Sequence, residues 1–434
     1  MTRQEAVTSD TGTAEWGGKR PSLWRSRNFV LLLTGQTVAE TGSRISGVAV
    51  PLLAAGTLGA SVFQVSLLTF LAWLPFLVFS LPAGIVADRI DRRKLVIVCD
   101  LSRMALILSL PLVAFTGHLT LLYLYVVVGI SGVFTVAFDV AYKTMLPRLV
   151  EDSQLIEGNA KLVMGQDFGE LIGPTIGGVL TGLVGATRTF FGNGLAFAVS
   201  ALTLWLIRDT PVRAEPDSAD RVPERLPLRA EMTEGLAFIR TRPILRQILA
   251  CTAASNFFVM ATSSIEVTFL LRELHAPPYL VGVVFSASAV GGLAVGAVAN
   301  RLTGWIGTAR IVWVAMAVPG PLYLLMPLSR PGWGILLYAV GLAAFSGNAV
   351  LFNIASMSYR QRITPHHLLG RVNAAFLWIC FGVIPLGALL GGTLGSRLGL
   401  RTALWICVLG TWSAALFVVF SPLRRMRDFG PGEE

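Results

Sequence analysis

The sequence predicts an all-α membrane protein, with twelve transmembrane helices in two pseudo-symmetric six-helix bundles. Three observations carry that reading. The composition is strongly apolar, about twelve runs are long enough to cross a bilayer, and the first half repeats in the second.

Of 434 residues, 54% are hydrophobic and only 14% are charged. A soluble chain carries about 25% charged residues and uses them as its surface. This chain has too few, whereas lipid requires apolar side chains to face outward. The net charge of +10 therefore gives no reason to expect a nucleic-acid partner. The four cysteines, Cys99, Cys251, Cys380 and Cys407, stand singly in apolar runs, without disulfide-framework or zinc-site spacing. No metal and no cofactor is expected.

The apolar runs fall at 28–56, 64–87, 95–116, 120–142, 159–186 and 190–207, then at 246–271, 280–302, 310–328, 334–359, 372–396 and 402–421. The expected organisation is a polar tail (1–27), a first bundle (28–208), a linker (209–243), a second bundle (244–422) and a short tail (423–434). The linker begins rich in proline and charge, as flexible connections do. It ends in "RAEMTEGLAFIRTRP", whose pattern suits an amphipathic helix on a membrane surface. Lys and Arg favour the cytoplasmic side. Placing both termini in the cytoplasm leaves few basic residues outside, among them Arg188, Arg272, Arg330, Arg397 and Arg401. The expected location is the inner (plasma) membrane.

The repeat is visible residue by residue. "GIVADRI" (84–90) matches "GAVANRL" (296–302). "NAKLVMGQDFGELIGPTIGGVLTGLVG" (159–185) matches "NAAFLWICFGVIPLGALLGGTLGSRLG" (373–399), which pairs Gly173, Gly177, Gly178 and Gly185 with Gly387, Gly391, Gly392 and Gly399. Parallel repeats of this kind enclose a site near the bilayer midplane and rock about it.

"GIVADRIDRRK" resembles the helix 2–3 loop motif of the major facilitator superfamily, with Asp91 in place of the usual second glycine. "GELIGPTIGG" resembles that superfamily's fifth-helix antiporter motif, Gly169, Gly173, Pro174, Gly177 and Gly178, although the most distant upstream glycine has no clear counterpart. "LTGQTVAETGSRISGVAVPLL", "CDLSRMALIL", "MLPRLVEDSQLIEGNA", "EGLAFIRTRPIL" and "QRITPHHLLGRVNA" resemble the macrolide-efflux and enterobactin-exporter-like group of drug:proton antiporters. The resemblance covers essentially the whole membrane region and implies the major facilitator fold. It also implies a gating motif, Gly84, Asp88, Arg89 and Arg92, in which Asp88, Arg89 and Arg92 latch the halves together when the pore opens outward. Read from charge alone, the same joint simply pins a hairpin to the cytoplasm. Gly165, Gly169, Gly173 and Gly177, spaced by four, let another helix approach closely; the added functional reading is a smooth face on which the halves slide.

Ionisable residues inside a span are costly and serve as functional candidates by default. Glu40 and Arg44 lie one helical turn apart and can pair. Asp167 and Glu170 share a face, with only Lys161 as a basic neighbour on their helix. A carboxylate without a partner in apolar surroundings can exchange protons near neutral pH. The proton-coupling candidates are therefore Glu170 first, then Asp167, Glu40, Arg44 and Asp139. Asp139 can instead pair with Lys143, and Asp100 with Arg103, as structural ion pairs. The second half offers amides rather than charges. Candidate substrate-lining residues are Gln36, Asn256, Phe257, Phe258, Asn348 and Trp378, with Glu266 facing an outer vestibule near Arg272.

Three function classes can be weighed. A membrane enzyme fits worst: His118, His275, His366 and His367 form no metal-ligand spacing, no nucleophile elbow occurs, and Gly17-Gly18-Lys19-Arg20 is not a phosphate-binding loop. The expected function is secondary active export of an amphipathic small molecule, such as an antibiotic, siderophore or related metabolite, in exchange for protons and by a single self-sufficient chain in the bilayer. The alternative is a lysolipid flippase or uptake facilitator of the same fold.

Overall fold

The computed structural model describes residues 23–208, 228–365 and 368–428; the side chains of 80–89, 143, 148, 152, 156 and 228–232 lie outside the described set. The tail before residue 23, the first part of the linker (209–227) and His366 and His367 also lie outside it.

The first half holds α1 (Arg27–Leu52), α2 (Val62–Arg89), α3 (Arg92–Phe115), α4 (Leu121–Lys143), α5 (Leu155–Val184) and α6 (Ala186–Leu206). A short amphipathic helix follows, α7 (Leu228–Thr241). The second half holds α8 (Pro243–Arg272), α9 (Pro278–Ile306), α10 (Arg310–Leu328, broken near Pro319), α11 (Ile335–Ile363), α12 (Leu369–Leu398) and α13 (Leu400–Val419). Ten of these are long and apolar enough to cross a membrane. Helices α1 and α5, of 26 and 30 residues, complete the twelve. Charged residues and glycines dilute their hydropathy. An even number of spans puts the two outer ends of the chain and the linker on one side, called here the termini end; the opposite side is the far end.

Local chemistry sets the helix ends. Asp91 caps α3, accepting from the backbone N–H of Arg93 at 3.0 Å and of Lys94 at 3.4 Å. Arg93 donates to the carbonyls of Leu204 and Trp205, orphaned at the end of α6. Part of the charge in the helix 2–3 joint is thus used to terminate helices. Helix α7 docks beneath the second bundle through Ile239, and Glu234 pairs with Arg371 at the start of α12.

The repeat seen in the sequence recurs in the contacts. Gly173 and Gly177 of α5 face Thr41, Arg44 and Ile45 of α1, while their counterparts Gly387 and Gly391 of α12 face Phe257 and Ala261 of α8. Gly185 and Gly399 close the matching turns at φ of 87° and 85°, a backbone region that L side chains rarely adopt. The four-spaced glycines therefore pack α5 onto α1 within the first bundle. This corrects the expectation of a sliding face between halves: spacing shows that a helix comes close but does not say which one.

The face between the halves is made by α5 against α9 and by α12 against α2. A Cβ at Gly178 would sit 2.7 Å from Pro278 O and 2.8 Å from Gly282 Cα, and Gly392 meets Phe63 and Ser66 in the matching position. Ser66 Oγ donates to Ser264 O (3.2 Å), Arg272 to Ala60 O (2.7 Å) and Ser286 Oγ to Leu171 O (2.8 Å). One apolar core, containing Val48, Leu52 and Val62 with Ile265, Phe269 and Leu404, crosses between the halves at this far end. At the termini end each bundle has its own core, around Phe29, Val96 and Tyr142 in one and Ile248, Val312 and Phe376 in the other.

A single stripe on α5 shows how the halves part. Gly182, Gly178, Thr175, Leu171, Phe168 and Met164 follow one another at helical spacing. The first four meet α9 through Tyr279, Gly282 and Ser286. Further toward the termini, Phe168 is 52% and Met164 67% exposed. The repeat-matched stripe on α12 runs from covered Gly392 to Trp378, 44% exposed. The bundles are closed at the far end and open toward the termini.

Candidate functional site

A cavity of about 800 Å³ lies between the bundles at mid-depth. Helices α1, α2, α4 and α5 wall it on one side, with Arg103 and Ile107 of α3 and Phe197 of α6, and α8, α9 and α11 wall it on the other. Trp73 and Phe76 of α2, whose rings lie 5.1 Å apart, join Phe138, Phe197, Phe285 and Phe345 to make much of the surface aromatic.

The charges sort by burial. Arg44 Nε lies 2.7 Å from Glu40 Oε1, and its Nη2 lies 3.2 Å from Glu170 Oε2. Asp139 also lies within the electrostatic reach of Arg44. The close approach of α5 to α1 at Gly169 and Gly173 is what brings Glu170 to Arg44. This corrects the expectation of a Glu170 without a basic partner, because the partner comes from another helix. The Arg44 and Glu170 side chains are 43% and 55% exposed. Such a pair is worth about 1 kcal/mol or less, so it can be broken and remade.

Asp100 and Arg103 contrast with them, at 0% and 3% side-chain exposure. They pair directly, Ser200 Oγ donates to Asp100 Oδ2 at 2.6 Å, and the Arg103 guanidinium lies 4.3 Å from the Phe138 ring centroid and 4.6 Å from that of Phe197. A buried ion pair of this kind is a structural clamp, although Arg103 Nε finds no hydrogen-bond acceptor among the described residues. Arg103 nonetheless borders the cavity.

Other candidates fall in different places. Asp167 is exposed on the open stretch of α5 and does not border the cavity, and Lys161 pairs with Glu157 instead (2.5 Å). Lys143, the expected partner of Asp139, has a side chain outside the described set, as do Gly84, Asp88 and Arg89. Arg92 lies at the first turn of α3. Gln36 borders the cavity with a buried amide oxygen that has no hydrogen-bond partner among the described residues.

Several expected lining residues are not on the wall. Asn256 Nδ2 donates to Cys380 O at 3.2 Å, tying α8 to α12. Phe257 and Phe258 meet edge to face; the Phe257 backbone lies against Gly387 and the Phe258 ring against Gly410. Asn348 is buried against Tyr323. Trp378 flanks the open cleft rather than the cavity. Glu266 does border the cavity; it is buried, and Tyr338 Oη donates to its Oε1 at 3.1 Å. Arg272 turns away from it to Ala60 O. Sequence reasoning missed Trp73, Phe76, Phe285 and Phe345. Helices α2 and α11 do not gather their apolar residues on one side, which leaves no periodic signal to mark the inner face of either.

Two matched six-helix bundles around a central mixed polar and aromatic cavity define a membrane transporter. Residues 32–385 match the family model of the Major Facilitator Superfamily, and the chain belongs to that family. It is 27% identical over 408 residues to the multidrug efflux pump Tap of Mycolicibacterium fortuitum, covering 92% of this chain and 97% of Tap. It is 23% identical over 414 residues to macrolide efflux protein A of Streptococcus pyogenes, covering 93% and 97%. Among solved structures, a bacterial homolog of the human lysosomal transporter Spinster, in an inward-facing and unoccupied conformation, superposes with a TM-score of 0.73 at 17% identity, covering 92% of this chain and 97% of that one. The protein is a multi-pass transporter of the plasma membrane.

Proposed function

We propose that the protein exports an amphipathic small molecule from the cytoplasm by alternating access, in exchange for protons. The observation that carries this is the cavity: aromatic surface set beside acids that outnumber bases, sealed at the far end and facing the termini. The Lys and Arg distribution supports a cytoplasmic termini end. Efflux relatives support the direction. Glu40, Glu170 and Asp139 surround a single Arg44. The Arg44 guanidinium can pair with these carboxyls in turn, so partners can be exchanged as the bundles move. Glu170, Asp167, Glu40, Arg44 and Asp139 are the proposed proton-coupling groups, with Glu170 first.

Cells expressing the protein are expected to accumulate less of an amphipathic dye or antibiotic than control cells, and a protonophore is expected to erase the difference. Glu170→Gln is expected to abolish substrate-driven proton movement in proteoliposomes. Unchanged pH dependence in that variant would remove Glu170 from the mechanism. A lysolipid flippase would instead move fluorescent lysolipid with no drug present. For the latch, Asp88→Asn is expected to lower transport several-fold while folded protein and substrate binding persist. Equal loss of folded protein would leave Asp88 a structural residue only.

A further inference from the structure

Glu266 stands apart from every other acid on the cavity wall. Glu40 and Glu170 share Arg44, and Asp139 lies near it. The hydrogen-bond partners of Glu266 are Tyr338 and Ser263, both uncharged. It is 4% exposed, yet it borders the main cavity on one side. On the other it borders a side chamber of about 30 Å³, room for one water molecule. Thr262, Tyr323 and Thr411 complete the polar wall of that chamber. The charged groups on neighbouring elements point elsewhere: Arg272 donates to Ala60 O, and Arg401 donates to Pro327 O and Ser329 O and faces Glu273. Across the cavity, Arg44 and Arg103 are engaged by their own acids.

A buried carboxylate without a cation is costly, and either a proton or a ligand cation removes the cost. The cavity supplies the rest of a cation site, because aromatic faces attract positive charge and bury apolar surface. We propose that Glu266 is the recognition site for the positive charge of a cationic amphiphile, and that the arriving cation displaces the carboxyl proton of Glu266. The proton leaves Glu266 Oε for cavity water and exits through the open termini end, while the carboxylate pairs with the ammonium or phosphonium centre. This deepens the export reading by naming the substrate's charge class, and it rests on that reading.

The test uses purified full-length protein and tetraphenylphosphonium, a permanent cation, in weakly buffered solution near neutral pH. The wild type is expected to bind the probe and release protons as it binds. Glu266→Gln is expected to lose at least about tenfold in affinity and to release none; Glu266→Asp is expected to retain part of both. Glu273→Gln, outside the cavity, checks that loss of a nearby acid is not sufficient. Tyr338→Phe leaves Glu266 in place without its donor and is expected to change the pH dependence of binding, a change that a purely structural role would not produce. No binding by the wild type, or equal binding and proton release by Glu266→Gln, overturns the assignment. Export of cationic and neutral compounds alike by Glu266→Gln cells overturns it while leaving the export function standing. Binding with proton release in a protein that exports nothing supports the assignment and refutes export.

Discussion

Asp100→Ala is expected to destabilise the protein by about 3–5 kcal/mol, because it strands the Arg103 charge inside the first bundle. Asp100 and Arg103 are almost wholly buried, joined to each other, and braced by Ser200 and two phenylalanine rings. The expected readout is a large drop in the thermal unfolding midpoint in detergent, with poor recovery of folded protein. Ser200→Ala removes one hydrogen bond and is expected to cost about 1–2 kcal/mol. The double change Asp100→Leu with Arg103→Met removes both charges and is expected to recover most of the stability. An unfolding midpoint unaffected by Asp100→Ala would mean that the pair does not clamp α3 to its neighbours. The contrast with Arg44 is one of magnitude: its solvent-exposed pairs contribute little to stability and are free to rearrange.

Gly178→Leu is expected to reduce transport by tenfold or more while leaving each bundle folded. The added side chain would enter the space held by Pro278 O and the Gly282 backbone, at the point where α5 and α9 close the far end. Rigid backbone stands there, so the clash is relieved by moving the bundles apart. Overpacking of this kind costs about 1–3 kcal/mol, and each 1.4 kcal/mol shifts a two-state equilibrium tenfold. The population therefore moves away from the state closed at the far end. Introduced cysteines there are expected to become more reactive toward a membrane-impermeant reagent. Gly392→Leu, at the matched position against Phe63 and Ser66, is expected to act the same way. Wild-type transport in both variants would show that this seal is not part of the cycle.

The fold was legible because lipid imposes a length and a composition on every span, and because the two halves kept matched glycines. Gly173, Gly177 and Gly178 and their partners Gly387, Gly391 and Gly392 signal close helix contacts in any such chain. The Glu40–Arg44 pair was legible because a helix places residues four apart on one face. The Arg44–Glu170 contact was not, because it depends on how α1 and α5 pack. The same limit hid the cavity wall: on α8, Phe257 and Phe258 carry the more conspicuous side chains, but neither borders the cavity, Phe258 turning toward Gly410, and Glu266 two turns away borders it instead. Trp378 could have been placed from sequence, since it continues the α12 stripe that Gly392 begins.

The central claim is that the two bundles rock about the cavity, exchanging one open end for the other. Two spin-labelled pairs measure this directly by pulsed electron resonance in lipid: Ser61→Cys with Arg397→Cys at the far end, and Asn159→Cys with Arg301→Cys at the termini end. The native cysteines are buried, which favours labelling at the introduced sites. With substrate and a proton gradient, the far-end distance is expected to lengthen as the termini-end distance shortens. Transport that continues while both distances stay fixed, or while both change in the same sense, would contradict the account.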